Sequence, residues 1–275
     1  MTWGLENVSV TIGKTRALDD VTVAVRPGRV TVVVGGDGAG KTTSLRVLAG
    51  LLAPDSGTAR RPAKETIGYV PATAGLYGDL TVAENLDFTA RAYGLAGAGR
   101  ARREDRILDR TGLAGARRRL GGQLSGGMKR KLATGMALLH APELLIIDEP
   151  TTGVDPVSRV ELWKLITGAA AEGAAVAVST TYMNEAARAD QVVLLEAGRE
   201  LAGGSPDDIL RRVPGAVGTA PGPQRPEGPS WRRGVNWRVW AKDGRLPPGA
   251  ARVEPDFEDA VVVAALAASG EGTAS

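Results

Sequence analysis

The stretch from Gly35 to Thr43, GGDGAGKTT, follows the apolar run Val30 to Val34 and leads into a helical pattern. It matches the phosphate-loop pattern G-x-x-x-x-G-K-[ST] in the strand–loop–helix context that the pattern requires. Its glycines allow backbone N–H groups to converge on phosphate oxygens, and the following helix adds its positive N-terminal end. We predict that the nucleotide-binding residues are Gly35, Gly36, Asp37, Gly38, Ala39, Gly40, Lys41, Thr42 and Thr43.

Two carboxylates end a second apolar run, LLIIDE, Leu144 to Glu149. In a nucleotide site Lys41 would reach the β- and γ-phosphates, and Thr42 would hold Mg²⁺ through its hydroxyl. Asp148 would bind Mg²⁺ directly or through water, and Glu149 would polarise the attacking water as the catalytic residue. The alternative is a pair of solvated acids that cap a strand, which the neighbouring phosphate loop makes the weaker interpretation.

The remaining apolar runs predict the fold class. LENVSVTIG and DDVTVAVRPG alternate as two antiparallel strands with one buried face, whereas VTVVV, ELLIID, AVAVS and VVLL are typical of interior parallel strands. Helical patterns separate these strands, which favours an α/β fold of the P-loop NTPase type with a central, mostly parallel sheet. The stretch from about 75 to 140 is mostly helical and interrupts the alternation, so we expect a helical subdomain there.

Composition narrows the class of protein. The 275 residues are 43% hydrophobic and 24% charged, and no apolar run reaches the roughly 18 residues of a membrane span. The N-terminus lacks a signal pattern, and the absence of cysteine fits a reducing cytoplasm. The net charge is +3, and clusters such as Arg117 to Arg119 lack interleaved aromatics. We therefore interpret them as solvated faces and expect no nucleic-acid partner.

A third motif, LSGGM from Leu124 to Met128, opens a predicted helix about twenty residues before the acidic strand. An SGG tripeptide is also a common turn, so its place between the other motifs decides its meaning. With GGDGAGKTT before it and LLIIDEPTTGVDP after it, the chain resembles the ATP-binding cassette (ABC) ATPases over about residues 3 to 212. The resemblance identifies Ser125, Gly126 and Gly127 as the signature and Asp155 as the dimer-loop aspartate.

LTVAENL, LSGGMKRKL and the terminal PDFEDAVVVAAL look most like ATP-binding subunits of exporters of drugs, lipids or polysaccharides. The resemblance implies ATP and Mg²⁺ as cofactors and a head-to-tail dimer with a second ABC ATPase subunit. In such a dimer each ATP lies between the phosphate loop of one subunit and the signature of the other. It also implies integral membrane permease subunits that dock near the helical subdomain, on the cytoplasmic face of the membrane.

Three positions depart from the family pattern. The switch histidine of S-T-H is Thr181, the glutamine of IGYVPQ is Ala72, and the aromatic that stacks on adenine is Ile12. Trp3 is a candidate substitute for that stacking residue. The only histidine, His140, lies near a predicted helix C-terminus, where we expect a positive charge to be tolerated.

Domain boundaries follow from a shift in composition after Val213. We expect a nucleotide-binding domain at 1–213, with the helical subdomain at about 75–140. The segment 214–255 holds half of the chain's 16 prolines and three tryptophans, and we expect it to be extended and partly ordered. A short helix and tail at 256–275 would start at Asp256 as N-cap, with Asp259 three residues on.

The leading functional hypothesis is an ATP-binding exporter subunit that forms the weakly hydrolysing half of an asymmetric pair. The losses fall on the chain's own site, whereas the signature that serves a partner's nucleotide is whole. Two alternatives stay open: a fully active homodimeric exporter ATPase, and a non-transport ABC factor that acts on ribosomes or nucleic acid.

Overall fold

The computed structural model describes residues 2–270. In chain order its strands are β1 (Trp3–Ile12), β2 (Thr15–Val25), β3 (Val30–Val34), β4 (Ser56–Arg60), β5 (Ile67–Val70), β6 (Leu144–Asp148), β7 (Ala175–Thr180), β8 (Gln191–Glu196), β9 (Arg199–Gly204), β10 (Ala216–Ala220), β11 (Ser230–Arg233), β12 (Asn236–Ala241) and β13 (Ala251–Val253). Its helices are α1 (Lys41–Leu48), α2 (Val82–Ala92), α3 (Gly97–Thr111), α4 (Gly126–Leu138), α5 (Pro156–Ala171), α6 (Met183–Ala186), α7 (Pro206–Arg211) and α8 (Phe257–Ala268).

The central sheet has six strands in the order β5-β6-β7-β3-β8-β9. Its first five strands are parallel, and β9 pairs antiparallel with β8. Strands β3, β6 and β7 are buried along their whole length, because runs of Val, Leu, Ile and Ala can be covered on both faces. The predicted α/β fold with a mostly parallel sheet is confirmed. The carboxyl ends of β3, β6 and β7 meet at one edge, where open α/β sheets bind ligands.

A smaller antiparallel sheet, in the order β2-β1-β4, covers one face of the central sheet. Leu5 and Val8 of β1 and Leu18 and Val21 of β2 point into a core that also contains Ile146 of β6. The alternation of apolar and polar residues in these strands follows from having only one buried face. The predicted N-terminal antiparallel unit is confirmed.

Helices α2, α3 and α4 follow one another between β5 and β6 and pack together. They occupy the part of the chain in which sequence predicted a helical subdomain. Helix α4 also packs on α5, so the start of the signature helix lies beside the start of the next helix. Within residues 2–270, no helix has the length and apolar character needed to cross a bilayer.

The segment 214–255 is a four-stranded antiparallel sheet in the order β11-β12-β10-β13. The prediction of an extended, partly ordered segment was wrong. The prolines lie outside the strands, either in the connections or just before and after the sheet, where they do not interrupt the ladder of hydrogen bonds. Trp240 is only 2% exposed and packs with Val217 and with Val263 of α8.

Helix α8 joins this sheet to the main domain. Asp256 caps its N-terminus and forms a capping box with Asp259, as the sequence predicted. Asp259 is fully buried and accepts a hydrogen bond from Arg233 at 2.9 Å, which compensates its charge. Phe257 and Val261 pack into the core of the main domain. One face of α8 therefore contacts the small sheet while the other contacts the main domain.

His140 does not have the role that its position in the sequence predicted. It follows α4 and stacks on Tyr93, with 3.7 Å between the ring centroids. Burial lowers the pKa of His140 to about 4, so the ring is neutral near pH 7. The prediction of a tolerated positive charge was wrong, because the ring is packed against an aromatic neighbour rather than exposed at a helix end.

Candidate active site

The phosphate loop connects β3 to α1, as predicted from its sequence. Gly40 ends the loop with φ of +102°, a conformation that L side chains rarely adopt. A Cβ at Gly40 would also lie 2.7 Å from the carbonyl oxygen of Ala17. Only glycine fits there, and the loop can thereby turn its N–H groups toward the N-terminus of α1, where an anion is favoured.

Lys41 is 6% exposed and its ammonium group is paired on several sides. Its Nζ donates hydrogen bonds to the carbonyl oxygens of Gly35 at 2.9 Å and Gly36 at 3.0 Å. The same Nζ lies 3.2 Å from Oε1 of Glu149. A buried ammonium needs such partners, and phosphate oxygens that enter the loop can take their place.

Asp148 is 1% exposed and lies at the end of β6, beside Thr42. Its Oδ1 accepts hydrogen bonds from Thr42 Oγ1 at 3.1 Å and from Ser179 Oγ at 2.5 Å. The structure thus brings together Thr42 and Asp148, the two predicted ligands of Mg²⁺. A hydroxyl and one carboxylate next to a phosphate loop fit this ion, which takes one or two protein oxygens and completes its shell with phosphates and water.

Glu149 follows directly and is held in one orientation. Its φ of +49° is unusual for a residue with a side chain. Its backbone N–H donates to Ser179 Oγ at 2.9 Å, and its carboxylate accepts from Thr152 Oγ1 at 2.8 Å. The carboxylate therefore faces the phosphate loop, where a residue that polarises water would have to lie.

Of these groups, Lys41, Thr42, Glu149 and Thr152 line one cavity of about 1140 Å³. It is lined by the loop from Gly36 to Thr43 and by Ile12, Thr15, Arg16, Ala17, Ala72, Arg130, Glu149, Thr152, Thr181 and Ala197. The three departures from the family pattern all line this cavity. Trp3 does not, because it lies at the start of β1 beside Arg60 and Pro62. The prediction that Trp3 could replace the missing stacking residue was therefore wrong.

The three hydroxyls at the end of β7 have different neighbours. Ser179 connects Asp148 to the backbone of Glu149, as described above. Thr180 donates to Glu185 Oε2 at 2.7 Å and accepts from the N–H of Tyr182 at 3.0 Å, which fixes the following turn. Thr181 faces the cavity. It can form hydrogen bonds but carries no charge.

The signature lies outside this cavity. Ser125 is the N-cap of α4 and accepts a hydrogen bond from the N–H of Met128 at 3.3 Å. Asp155 caps α5 in the same way, which lowers the pKa of its carboxyl group through hydrogen bonds from Ser158. Of the residues that the structure describes, neither Ser125 nor Gly126 nor Gly127 is among those lining the cavity.

Sequence reasoning missed two residues of the site. Ser179 was not predicted as a site residue, although its place at the end of a strand next to the acidic strand is a usable signal. Arg130 lines the cavity and donates through Nη1 to the carbonyl oxygen of Pro71 at 3.1 Å. It also donates through Nη2 to the carbonyl oxygen of Ala72. No sequence pattern that we used places a residue of the signature helix at the chain's own phosphate loop.

Comparison with known proteins identifies the family. Residues 18–152 match the family model described as ABC transporter. The chain is 43% identical over 201 residues to the probable multidrug ABC transporter ATP-binding protein YbhF of Escherichia coli K12, covering 70% of this chain and 35% of that protein. It therefore spans about a third of the length of that relative.

A second relative is covered over most of its length. The Nod factor export ATP-binding protein I of Cupriavidus metallidurans is 36% identical over 217 residues, which cover 75% of this chain and 72% of that protein. A solved structure described as the ATP binding subunit of an ABC transporter superposes with a TM-score of 0.70 at 33% identity. The match covers 77% of this chain and 93% of that one. The chain belongs to the ABC transporter family.

Proposed function

We propose that the chain binds Mg·ATP and serves as the weakly hydrolysing half of an asymmetric pair of ABC ATPase subunits. The pair would drive export by integral membrane permease subunits at the cytoplasmic face of the membrane. Residues 1–213 would carry this activity. The substrate and the permeases are proposals as well, because the chain spans only part of the multidrug relative.

The retained groups support nucleotide binding. Lys41 and the loop N–H groups would bind the β- and γ-phosphates, and Thr42 with Asp148 would hold Mg²⁺, which neutralises phosphate charge when bound. Glu149 would orient and polarise the attacking water. Ser179 fixes the positions of Asp148 and Glu149 relative to each other through its two hydrogen bonds.

Weak hydrolysis is supported by one observation above others: Thr181 and Ala72 both line the cavity that holds Lys41 and Glu149. The family pattern has a histidine and a glutamine at these positions. Thr181 offers one uncharged hydroxyl and Ala72 one methyl group, so neither supplies the charge of a protonated histidine or the amide of a glutamine. The site can bind a nucleotide but lacks two groups that would act in hydrolysis.

The intact signature supports a partner. Ser125 presents a helix N-terminus, an anion-binding feature, outside the chain's own cavity. In a head-to-tail pair, this surface would complete the partner's nucleotide site. The pair would then have one complete site and one weak site.

The test is the ATPase activity of the purified chain, alone and mixed with its neighbouring cassette and permease subunits. We expect Mg·ATP binding by the chain alone, a low rate, and a large increase in rate only in the mixed complex. Lys41→Ala should abolish binding by the isolated chain. A chain that hydrolyses ATP at full rate alone, and elutes as a dimer in size-exclusion chromatography, would show that it is a homodimeric ATPase.

A further inference from the structure

Arg130 lies within the stretch LSGGMKRKL, but neither the signature nor the proposed mechanism uses its charge. It lies on α4, about one and a half turns after the signature serine. Its side chain leaves the signature and lines the cavity of the chain's own phosphate loop. The other cations that line this cavity are Lys41 in the loop and Arg16, which pairs with Asp19 at 3.1 Å.

The guanidinium is held by the loop that follows β5. It donates to the carbonyl oxygens of Pro71 and Ala72, and the first of these hydrogen bonds is 3.1 Å long. An arginine has five N–H groups in a fixed plane, so these two contacts leave three for other acceptors. Because Ala72 ends in a methyl group, its side chain adds no competing donor beside the guanidinium.

The position of Arg130 relative to the acidic pair indicates which part of a nucleotide it would meet. Burial lowers the pKa of Arg130, whereas the charges of Asp148 and Glu149 raise it, so both carboxylates act on the guanidinium. Lys41, Glu149 and Thr181, which are the groups expected around the terminal phosphate, line the same cavity as Arg130. Arg130 thus lies with the groups expected around the terminal phosphate, and it carries a charge that Thr181 cannot carry.

We propose that Arg130 binds the terminal phosphate of ATP in the chain's own site and supplies there the positive charge that Thr181 lacks. This rests on the proposed ATP-binding function. Arg130 would distinguish ATP from ADP, because ADP has no phosphate at that position. It would also connect the chain's own nucleotide to the helix that begins at the signature, since Ser125 and Arg130 belong to one rigid element.

The experiment titrates the purified full-length chain with ATP and with ADP, each in excess Mg²⁺, by calorimetry. Arg130→Met should weaken ATP binding about tenfold to a hundredfold, the range of a charge-assisted hydrogen bond, and change ADP binding less than about threefold. Arg130→Lys should keep most of the preference for ATP. Arg106→Met is the matched control, since Arg106 is an exposed arginine on α3 outside this cavity, and it should change neither affinity.

A neutral variant that can still hold the loop covers the case in which Arg130→Met fails to fold. Arg130→Gln can donate to a carbonyl of Pro71 or Ala72 but has no charge, so it should lose the preference for ATP that Arg130→Lys keeps. Equal weakening of ATP and ADP, or no weakening in either neutral variant, would overturn the proposal while leaving ATP binding intact. A wild-type chain that binds neither nucleotide would overturn the proposed function and this assignment together.

Discussion

At the scale of single residues, Thr181 and Ala72 occupy the positions where the family resemblance leads us to expect a histidine and a glutamine. Both line the cavity with Lys41, and neither offers a charged group or an amide. The surrounding groups are in place, because Asp148 and Glu149 are fixed by hydrogen bonds from Thr42, Ser179 and Thr152. We therefore expect that residues 181 and 72 can be changed without disturbing the rest of the site.

Restoring both groups tests that separation. We expect Thr181→His with Ala72→Gln to raise the rate of ATP hydrolysis at this site by about 10²-fold or more, the value of single stabilising groups in other enzymes. The measurement is steady-state ATPase activity of the assembled complex, in which Glu149→Gln is added to confirm that the gain arises at this site. An unchanged rate in a folded double variant would show that other features limit hydrolysis.

Ser179 has a structural role, and its contribution to the free energy of unfolding can be measured without nucleotide. Ser179→Ala leaves a buried carboxylate oxygen of Asp148 and the N–H of Glu149 each with one partner fewer. We expect a loss of about 1–3 kcal/mol in the free energy of unfolding, measured by urea titration. Ser44→Ala is the control, since that buried hydroxyl only donates to the helix carbonyl of Lys41, and it should cost less. Equal losses in the free energy of unfolding of the two variants would mean that the hydrogen bonds of Ser179 with Asp148 and Glu149 add no stability of their own.

His140 gives the fold a pH dependence. Burial lowers its pKa from 6.5 to about 4, so between these values the unfolded chain binds a proton that the folded chain does not. Its contribution to stability is thus complete above about pH 7 and is lost progressively as the pH falls toward 4. Because solvent partly reaches the ring, we expect only about 1–2 kcal/mol.

The variant His140→Phe keeps an aromatic ring on Tyr93 and removes the titration. Carboxylates such as Asp208, whose pKa hydrogen bonds from Ser205 lower to about 2, contribute equally to both proteins. Urea titrations from pH 7.5 to 4.5 should therefore show a smaller loss of stability in the variant. Parallel profiles would contradict the lowered pKa of His140.

At the scale of elements, the close contact between α4 and α5 depends on one signature glycine. A Cβ at Gly127 would lie 2.5 Å from Oγ and 2.7 Å from Cβ of Ser158, on the first turn of α5. A Cβ at Gly126 would have only the carbonyl oxygen of Gly153 near it, at 3.7 Å. Close packing of the two helices therefore requires glycine at position 127 but not at position 126.

Alanine at each of the two positions tests this difference. Gly127→Ala should lower the free energy of unfolding by about 1–3 kcal/mol, because the two helices must move apart. Gly126→Ala should be neutral or slightly stabilising, because alanine is the better helix residue. Ser158→Gly should recover part of the loss in Gly127→Ala, since it removes the clashing atoms. Equal effects of the two alanines in urea titration would contradict the close packing.

The C-terminal sheet shows where reading elements from sequence fails. Its strands are three to six residues long, and its prolines and all of its glycines except Gly218 of β10 lie outside the strands. Local composition therefore resembles a linker, while the order depends on contacts distant in sequence. Trp240 packs against α8, and Arg233 pairs with Asp259, 26 residues later. Of these features, only the capping box of α8 could be recognised from residues close together in the sequence, and it was predicted.

At the scale of the whole molecule, the fold could be predicted because the spacing of apolar residues in each strand and helix can be read from neighbouring residues in the sequence. Fully apolar runs such as Val30–Val34 gave the parallel strands, and parallel strands necessarily bring Asp148 and Thr181 to the same edge as the phosphate loop. The side chains of Arg130 and Trp3 could not be placed from sequence, because the direction that a large side chain takes depends on tertiary packing. The position of a residue in a motif does not determine which site its side chain reaches.

The asymmetric pair makes a prediction about two residues that serve different sites. Ser125→Arg would place a bulky cation at the signature and should abolish most ATPase activity of the assembled complex, because it blocks the complete site of the partner. Glu149→Gln removes a carboxylate from a site that already lacks its histidine and glutamine, so the loss should be small. The measurement is steady-state ATPase activity of the complex carrying each change, with assembly checked by size-exclusion chromatography.

A second N-cap serine supplies the control for the effect of removing a cap. Ser205 caps α7 outside the cavity, so Ser205→Arg should lower stability by about 1 kcal/mol and leave the ATPase rate of the complex near that of the wild type. In a homodimer every site needs both a signature and a catalytic glutamate, so Ser125→Arg and Glu149→Gln would be equally damaging. That outcome would contradict the asymmetric pair while leaving ATP binding untouched, since Lys41, Thr42 and Asp148 are the same in both assemblies.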